Sequence, residues 1–498
     1  MHTQFKPMPR NDPTAPALLM QDRDDTARNP NTAFFVALLG FLCFMPYPSI
    51  TVGNRSALQF GNILSLLMCA PVLLIPWRKK SYHLSLLLLA PVCISVVKVA
   101  LTGDGDLALS LKSVPARAIT WFSLLATQYY APLYALEMLT GIAVATVLHV
   151  AVGLWQMYSF TNGDFPFPEL YVNASFLSVQ DMAKTIANYI QRPFGIFPEP
   201  SAMSSSLAPW IVFWIAELCG LVRLKRGPAP WQRTLFAIAA AGALMLIIIS
   251  RSGHTFVTLF AVVILAAIWL MKCRANLRNY LVILGVCCIV LPVILWFGAE
   301  AMTDRLGGKS DVGNSSWEDR SSSLRVGYMM LVNDGPATLL FGIGPALTAP
   351  AMYGALRLDA VWSVILNYIY ETGMIGLIAV LWVGAYVAKV WKSTNYNVVF
   401  TAITGVWFIG ILLTTSYEQL LPIWVALGWL TVWPEICLPT LTNAAISHSS
   451  AAHEADNASA DEPELHRPDP ADPQSPVLPW KTPGESRPSS AKRSWSEP

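Results

Sequence analysis

Arginine is the residue type with the clearest chemical potential in this sequence. Its guanidinium is planar and always charged, and it donates paired hydrogen bonds to phosphate, which the point charge of lysine does not do. Six arginines lie between apolar runs but outside the short loops in which lysine and arginine concentrate: Arg192, Arg251, Arg305, Arg320, Arg325 and Arg357. We therefore consider a site for a diphosphate. For Arg305 and Arg357 the alternative is an ordinary ion pair with a nearby Asp or Glu.

Arg251 lies in the short turn Ser250-Arg251-Ser252-Gly253-His254, between two long apolar runs. If these runs cross a bilayer, the arginine lies close to its surface, where a charge is costly unless it faces a polar cavity. We expect it to bind the diphosphate, and the alternative is a charge that reaches phospholipid head groups. His254 is a candidate acid–base group, or a water-exposed histidine at the start of a helix.

A proline-rich segment, Gln191 to Ser201, precedes another apolar run. Its three prolines and one glycine predict a stiff, extended backbone that presents Arg192 and Glu199. The serines that follow, from Ser201 to Ser206, offer capping oxygens and free amides at a helix start, which is a natural anion site. Glu199 is a candidate catalytic carboxylate, or a charge that merely favours the helix dipole.

The third segment runs from Trp317 to Tyr328. We expect a helix over about 324–332, which places Arg325 in its first turn, where a cation is unfavourable and an external anion is favoured. Arg320 joins the same site only if it lies in the preceding loop. The neighbouring acidic residues have no DxD spacing and no nearby histidine, so we predict an ion pair with Arg320 and no metal.

The composition shows what must position these residues. Hydrophobic residues make up 54% of the 498 residues and charged residues only 13%, far from the charged fraction of about 25% typical of soluble domains. The sequence therefore predicts an all-α, polytopic membrane protein. The net charge of +2 gives no global field to attract nucleic acid, and the cysteines show no spacing typical of zinc sites or disulfide frameworks.

About twelve apolar runs are long enough to cross a bilayer as helices, given its thickness of roughly 30 Å. They cover approximately 32–50, 60–77, 84–101, 118–135, 139–158, 204–222, 235–250, 255–271, 280–297, 365–388, 398–416 and 420–438.

Lysine and arginine concentrate in short loops near residues 78–80, 223–233, 272–278 and 389–392. The positive-inside rule places this face in the cytoplasm. An even number of spans then puts both termini there, and the long connections 159–203 and 298–364 lie outside.

Three regions follow from this assignment. Residues 1–31 form a polar cytoplasmic N-terminus without a cleavable signal peptide. Residues 32–440 form the membrane domain. Residues 441–498 are rich in Pro, Ser, Ala and Glu and form a disordered cytoplasmic tail.

The motifs together resemble the superfamily of O-antigen ligases and Wzy-type polysaccharide polymerases. The resemblance covers roughly residues 190–390. It depends on the turn 250–253, on Arg325 followed by Phe341-Gly342-Ile343-Gly344, and on the segment Asn367 to Gly376 entering a span. Their order, spacing and topology make the combination more specific than any one motif.

The resemblance implies an inverting glycosyltransferase at the outer face of the bacterial inner membrane. Its donor and acceptor are glycans linked to undecaprenyl diphosphate, and it uses no nucleotide sugar, metal or other cofactor. Arg251 and Arg325 become diphosphate ligands, and Arg192 and Arg320 follow by proximity. A flippase and a chain-length regulator are expected partners.

The sequence departs from the ligase pattern, because Asp359 to Trp362 stand where ligases tend to carry a histidine. This favours a polymerase and leaves the acceptor-activating base open among Glu199, His254, Asp359 and Glu418. Alternatives are an O-antigen ligase, a lipid-linked glycan flippase or transporter, and a non-enzymatic subunit of an export complex. Transporters usually carry charges on broken helices in mid-membrane, whereas the candidate charges here lie outside the spans.

Overall fold

The computed structural model describes residues 29–51, 57–73, 83–167, 171, 192–252, 254–272, 311–356, 361, 363–394, 398–413 and 418–438. The chain divides into a unit Met1–Asn443 and a unit Ala444–Pro498, and all described residues belong to the first. The predicted span 280–297 and the predicted tail 441–498 lie outside the described residues.

The described chain is mostly helical. Its helices are α1 Pro30–Cys43, α2 Phe60–Leu73, α3 His83–Thr102, α4 Leu107–Thr161, α5 Pro200–Leu218, α6 Pro230–Ile249, α7 His254–Lys272, α8 Asp311–Asn333, α9 Pro336–Phe341, α10 Thr348–Leu356, α11 Val364–Ser393, α12 Val398–Leu413, α13 Leu421–Thr431 and α14 Trp433–Ile436.

Four of these helices, α3, α4, α6 and α11, are long and apolar enough to cross a membrane, and five shorter helices are also apolar. These helices are consistent with a helical membrane protein. The figure of twelve spans is not confirmed and stays a prediction, as does the orientation.

The predicted first span, 32–50, is too long. Helix α1 ends at Cys43, and Ser49–Thr51 (β1) pairs antiparallel with Ala57–Gln59 (β2). Pro46 and Pro48 explain the early end, because neither can donate a backbone hydrogen bond to continue a helix. The described chain therefore contains one small hairpin besides its helices.

The predicted fourth and fifth spans belong to one element, α4, which has 55 residues. A straight helix of that length measures about 82 Å at 1.5 Å per residue, far more than a bilayer. The backbone is non-helical at Tyr134 (φ −126°, ψ 36°), so α4 consists of two arms that meet there. Each arm alone is long enough to cross a bilayer.

Helix α4 is the centre of the packing. Helices α1, α2, α3, α6 and α13 all pack against it. Glycine permits the closest of these approaches, because a Cβ atom at Gly141 would overlap the carbonyl oxygen of Ala37 on α1. A second layer forms where α5 packs against α6, α7 and α12.

The α1–α4 approach generates a stability prediction. Gly141→Ala should destabilise the protein by about 1–3 kcal/mol, because backbone must move to admit the methyl group. Gly405→Ala on α12 is the matched control, since no atom lies within 4 Å of its added Cβ. Thermal unfolding of the purified, detergent-solubilised variants measures both. Equal unfolding temperatures would contradict the proposed close approach.

Candidate functional site

The proline-rich segment before α5 is fixed by a buried glutamine on the second arm of α4. Oε1 of Gln156 accepts hydrogen bonds from the backbone N–H groups of Phe194 and Gly195, both at 2.9 Å. Its Nε2 donates to the Gly195 carbonyl at 2.8 Å. Gly195 itself has a φ of +58°, a conformation that favours glycine. The prediction of an extended backbone is wrong at Phe194 to Phe197, where the N–H of Phe197 bonds the carbonyl of Phe194 at 3.1 Å in a turn. The stiffness of the segment stays a prediction.

His149, two turns before Gln156 on the same face of this arm, ties the segment to the end of α1. Its Nδ1 accepts from the N–H of Ile196 at 3.0 Å, and its Nε2 lies 2.6 Å from the carbonyl oxygen of Phe44. An N–H only donates and a carbonyl only accepts, so these partners assign the proton to Nε2 and make the ring neutral. The histidine is a buried structural bridge.

Glu199 is the residue before α5, and it is half-buried. Its carboxylate accepts a hydrogen bond from the hydroxyl of Ser201, and it makes no side-chain cap of the helix. Burial raises the pKa of Tyr47, and the negative charge of Glu199 raises it further. The carboxylate of Glu199 is therefore close enough to Tyr47 for its charge to disfavour ionisation of the Tyr47 hydroxyl.

The Ser250–Arg251 turn meets the beginning of α5. The hydroxyl oxygens of Ser250 and Ser204 are 3.5 Å apart, so the structure brings together two segments that the sequence analysis had singled out separately. Arg251 is exposed and has a φ of +52°. A left-handed backbone is unusual for a residue with a long side chain and costs of order 1 kcal/mol.

The remaining candidates of this region differ in exposure. Arg192 is half-buried at the start of the rigid segment. His254 begins α7, as expected, but its side chain is only 5% exposed. The interpretation of His254 as a water-exposed residue at a helix start is therefore wrong.

The prediction for Arg325 is partly wrong. Helix α8 begins at Asp311, not near residue 324, so Arg325 lies well inside the helix and the unfavourable helix dipole does not act on it. Arg320 belongs to the same helix and not to a loop. Positions five apart on a helix point roughly 140° apart, so the condition stated for a joint site is not met. Arg325 is exposed.

The turn Phe341 to Gly344 lies against a break in α11. Gly373 has a φ of +66° and a ψ of −152°, which interrupts the helix. The carbonyl oxygens that the break turns outward accept hydrogen bonds from the turn: Ile343 N–H bonds Tyr370 at 2.9 Å, and Gly344 N–H bonds Glu371 at 3.2 Å. The predicted span 365–388 is therefore a broken helix.

A group of charged side chains lies beside this break, and we call Arg117, Asn367, Glu371 and Glu418 the polar cluster. Nε of Arg117 donates to Glu418 at 2.8 Å, and Nη2 of Arg117 donates to Glu371. The amide of Asn367 donates to the second oxygen of Glu418 at 3.2 Å. The second oxygen of Glu371 accepts from the N–H of Ala346 at 2.9 Å.

The polar cluster is nearly removed from solvent: the side chains of Arg117, Glu371 and Glu418 are 10%, 3% and 13% exposed. With both carboxylates ionised, its formal charge is +1 − 2 = −1. An apolar environment makes such an excess charge expensive. Among the described residues, no group of three or more His, Cys, Asp or Glu side chains has an arrangement for a metal ion.

The polar cluster borders the predicted arginine site on α8. The hydroxyl of Tyr370 donates to the carbonyl of Leu324 at 2.9 Å. Leu324 precedes Arg325 in the chain, and Tyr370 precedes Glu371. One hydrogen bond therefore joins the backbone next to Arg325 to the residue next to the cluster.

The two regions are connected through α12, which packs against α5, α7 and α11. Gly410 on α12 lies against Ser205 of α5. The hydrogen bonds given above link Arg251 only to its own region and Arg325 only to the polar cluster. The prediction that these two arginines share one ligand therefore stays a prediction.

An apolar groove of about 460 Å³ begins next to the polar cluster. Tyr368 and Trp424 line its near end, and Trp391 lines its far end, between α11 and α12. Beyond the break in α11, the lining from Val380 to Trp391 extends over about 16 Å at 1.5 Å per residue, and the groove is lined almost entirely by apolar side chains. This shape suits a hydrocarbon chain better than a polar ligand.

Arg117 was not among the residues predicted from the sequence, and Glu371 was given no role. Arg117 lies one residue before the predicted fourth span. The available signal was a pair of opposite charges, Arg117 and Glu371, at or inside apolar runs, because such residues are expensive in a membrane and usually functional. Only the fold shows that they meet. Asp359 lies outside the described residues.

No model of a known protein family matches the chain, and no curated protein sequence matches it.

The rigid segment generates the second prediction. Gln156→Leu should destabilise the protein by several kcal/mol, since each buried polar group left without a partner costs about 1–3 kcal/mol. Gln128→Leu is the control: it is also a buried glutamine of α4, but it donates one hydrogen bond, to Thr431. Thermal unfolding and limited proteolysis within 159–199 measure the difference. Equal losses would contradict the role assigned to Gln156.

Proposed function

We propose that this protein is a polysaccharide polymerase of the inner membrane, which joins oligosaccharide repeat units carried on undecaprenyl diphosphate. It transfers the glycan from its diphosphate to an acceptor hydroxyl with inversion, at the outer face. The donor, the acceptor and the membrane are its partners in this reaction, and no metal or cofactor takes part. The resemblance in motif order supports the proposal.

One observation carries the proposal: Arg251 is exposed, held in a left-handed conformation, and placed beside the first turns of α5. The backbone amides at that helix start favour an anion, and the guanidinium adds paired donors. Backbone strain concentrates at functional sites. An arginine that served only to reach lipid head groups would not need this conformation.

The chemistry requires little more than positioning. A diphosphate is already a good leaving group, so stabilising the charge that develops on it and aligning the acceptor lower most of the barrier. Arg251 and Arg325 supply that stabilisation, and Arg192 lies on the segment that leads into α5, against which the turn of Arg251 packs. The apolar groove between α11 and α12 suits the hydrocarbon chain of a lipid-linked substrate. A ligase would use the same displacement on another acceptor.

The alternative class, a flippase or transporter, is favoured by a different observation. Helix α11 is broken at Gly373 beside buried charges, and broken helices with buried charges are typical of transporters. The leaflet on which single lipid-linked repeat units accumulate separates the two classes. Loss of a polymerase leaves them on the outer leaflet, whereas loss of a flippase leaves them on the cytoplasmic leaflet.

The third prediction tests the arginines in cells that accumulate lipid-linked repeat units. Arg251→Ala and Arg325→Ala should each lower the polymerisation rate by about 10² to 10³, because each removes charge stabilisation that strengthens in the transition state. Lysine at either position should recover only part of the rate, since it keeps the charge and loses the paired donors. Polymer length and yield are measured at matched protein abundance.

Arg233→Ala is the matched control, because Arg233 lies near the opposite end of α6 from Arg251 and its side chain is 61% exposed. It should leave the polymer unchanged. Wild-type polymer in both Arg251→Ala and Arg325→Ala would refute the proposed diphosphate site.

The fourth prediction concerns orientation. Reporter fusions ending at Arg233 and at Lys272 should report a cytoplasmic location, and a fusion ending at Arg320 should report the outer side. The reason is that basic residues concentrate in the short loops 223–233 and 272–278. Cysteine labelling with a membrane-impermeant reagent provides an independent measurement. A cytoplasmic Arg320 is incompatible with the proposed function.

A further inference from the structure

Glu418 differs from the other candidate bases in how it is held. Both of its carboxylate oxygens are fixed, one by Arg117 at 2.8 Å and the other by Asn367 at 3.2 Å. Its backbone carbonyl accepts from the indole N–H of Trp424 at 2.8 Å. The carboxylate therefore has a defined orientation, which a general base needs before its proton affinity matters.

The charge of the polar cluster favours the uptake of one proton. The polar cluster has one guanidinium and two carboxylates, and taking up one proton brings its formal charge from −1 to 0. In a nearly dry environment this change is favourable, because the excess charge has little water to stabilise it. Glu371 is the more buried carboxylate and accepts from Ala346 as well as from Arg117. Glu418, at 13% side-chain exposure, is the carboxylate nearer to solvent.

Arg117 retains a donor for a further ligand. Its Nη1 is buried and has no hydrogen-bond partner among the described residues, while Nε and Nη2 bond the two carboxylates. A buried, charged donor without a partner is costly. A ligand oxygen at this place would satisfy it, and a hydroxyl can accept from Nη1 and donate to a carboxylate at the same time.

The polar cluster also lies close to Arg325 and to the apolar groove. The hydroxyl of Tyr370 donates to the carbonyl of Leu324. Glu371 follows Tyr370 in the chain and Arg325 follows Leu324, so this hydrogen bond brings their backbones close together. The apolar groove begins at Tyr368 and Trp424, which border Asn367 and Glu418. A lipid-linked substrate with its chain in the groove brings its polar part to this end.

We propose that the polar cluster is the acceptor site: Arg117 Nη1 binds the acceptor hydroxyl of the growing glycan, and Glu418 takes its proton. The assignment rests on the proposed function. Asn367 and Glu371 are positioning residues. Asn367 acts by orienting Glu418, and Glu371 acts by holding Arg117 and the N–H of Ala346, in the loop between α9 and α10.

The step balances without a co-reactant. The acceptor oxygen attacks the anomeric carbon and forms the new glycosidic bond. The bond from that carbon to the diphosphate oxygen breaks, and its electron pair leaves with the diphosphate. The hydroxyl proton passes to Glu418, which later releases it to water.

Among the residues that the structure describes, few other titratable groups face Glu418. Arg117 approaches it from α4, and Glu371 and Tyr368 approach from α11. On α3, the buried Lys98 pairs with a carboxylate outside the cluster, at 3.5 Å. The side chain of Trp424 on α13 is uncharged. The pH dependence of the rate therefore reports on this one cluster.

The test uses the full-length protein in membrane vesicles with a lipid-linked repeat unit as donor and acceptor. Glu418→Gln should lower the initial rate by about 10² to 10⁴, the usual contribution of a general base. Retention of the radiolabelled repeat unit should stay within about twofold of wild type, because the arginines still hold the diphosphate. The pH profile of the residual rate should differ from that of the wild type, because the cluster has lost one of its two carboxylates.

Glu217→Gln is the matched control, because Glu217 is another buried carboxylate near an arginine, Arg233 at 3.8 Å, outside the proposed site. It should keep the wild-type rate and pH profile. If Glu418→Gln does not reach wild-type abundance, Glu418→Asp replaces it; the shortened carboxylate should lower the rate at least about tenfold with donor binding unchanged.

Two failures are distinguishable. A wild-type rate and pH profile in Glu418→Gln, or a wild-type rate in Glu418→Asp where that variant is used, together with an inactive Arg251→Ala, would overturn the assignment of Glu418 and leave the polymerase proposal intact. Wild-type protein that binds but never elongates the repeat unit would overturn the polymerase proposal itself.

Discussion

The ion pair between Arg117 and Glu371 constrains the rest of the fold. Removing a guanidinium and a carboxylate from water costs several kcal/mol per ion, and good geometry with further hydrogen bonds must offset that cost. The further bonds come from Glu418 and from the N–H of Ala346. Helices α4 and α11 must therefore assemble together with the loop between α9 and α10, which carries Ala346. Each of these elements alone leaves a buried charge without its partner.

Helix α4 connects this constraint to the second region. Its first arm carries Arg117, and its second arm carries His149 and Gln156, which fix the segment before α5. The interruption at Tyr134 separates the two arms. One element thus positions both the charged centre and the rigid segment, by ionic bonds in the first case and by neutral hydrogen bonds in the second.

Sequence reasoning reached the helical membrane class because apolar runs and low charge content report directly on the solvent of the chain. It also singled out the proline-rich segment before α5, since proline and glycine act locally, but it did not predict the turn at Phe194 to Phe197. It failed where distant residues decide the outcome. Arg117 and Glu371 are 254 residues apart, and no local pattern pairs them. The start of α8 at Asp311 was missed because serines 321–323 predicted a helix start, whereas these positions lie inside α8.

The left-handed backbone of Arg251 means that selection for stability and selection for activity should favour different residues at this position. Glycine or asparagine adopts that φ at little cost, so a library of variants screened for heat resistance alone should enrich them at this site. A library screened for the proposed polymer synthesis should retain arginine in spite of the strain. The difference in codon frequencies at position 251 between the two screens would then measure how much stability the arginine costs in return for its proposed role.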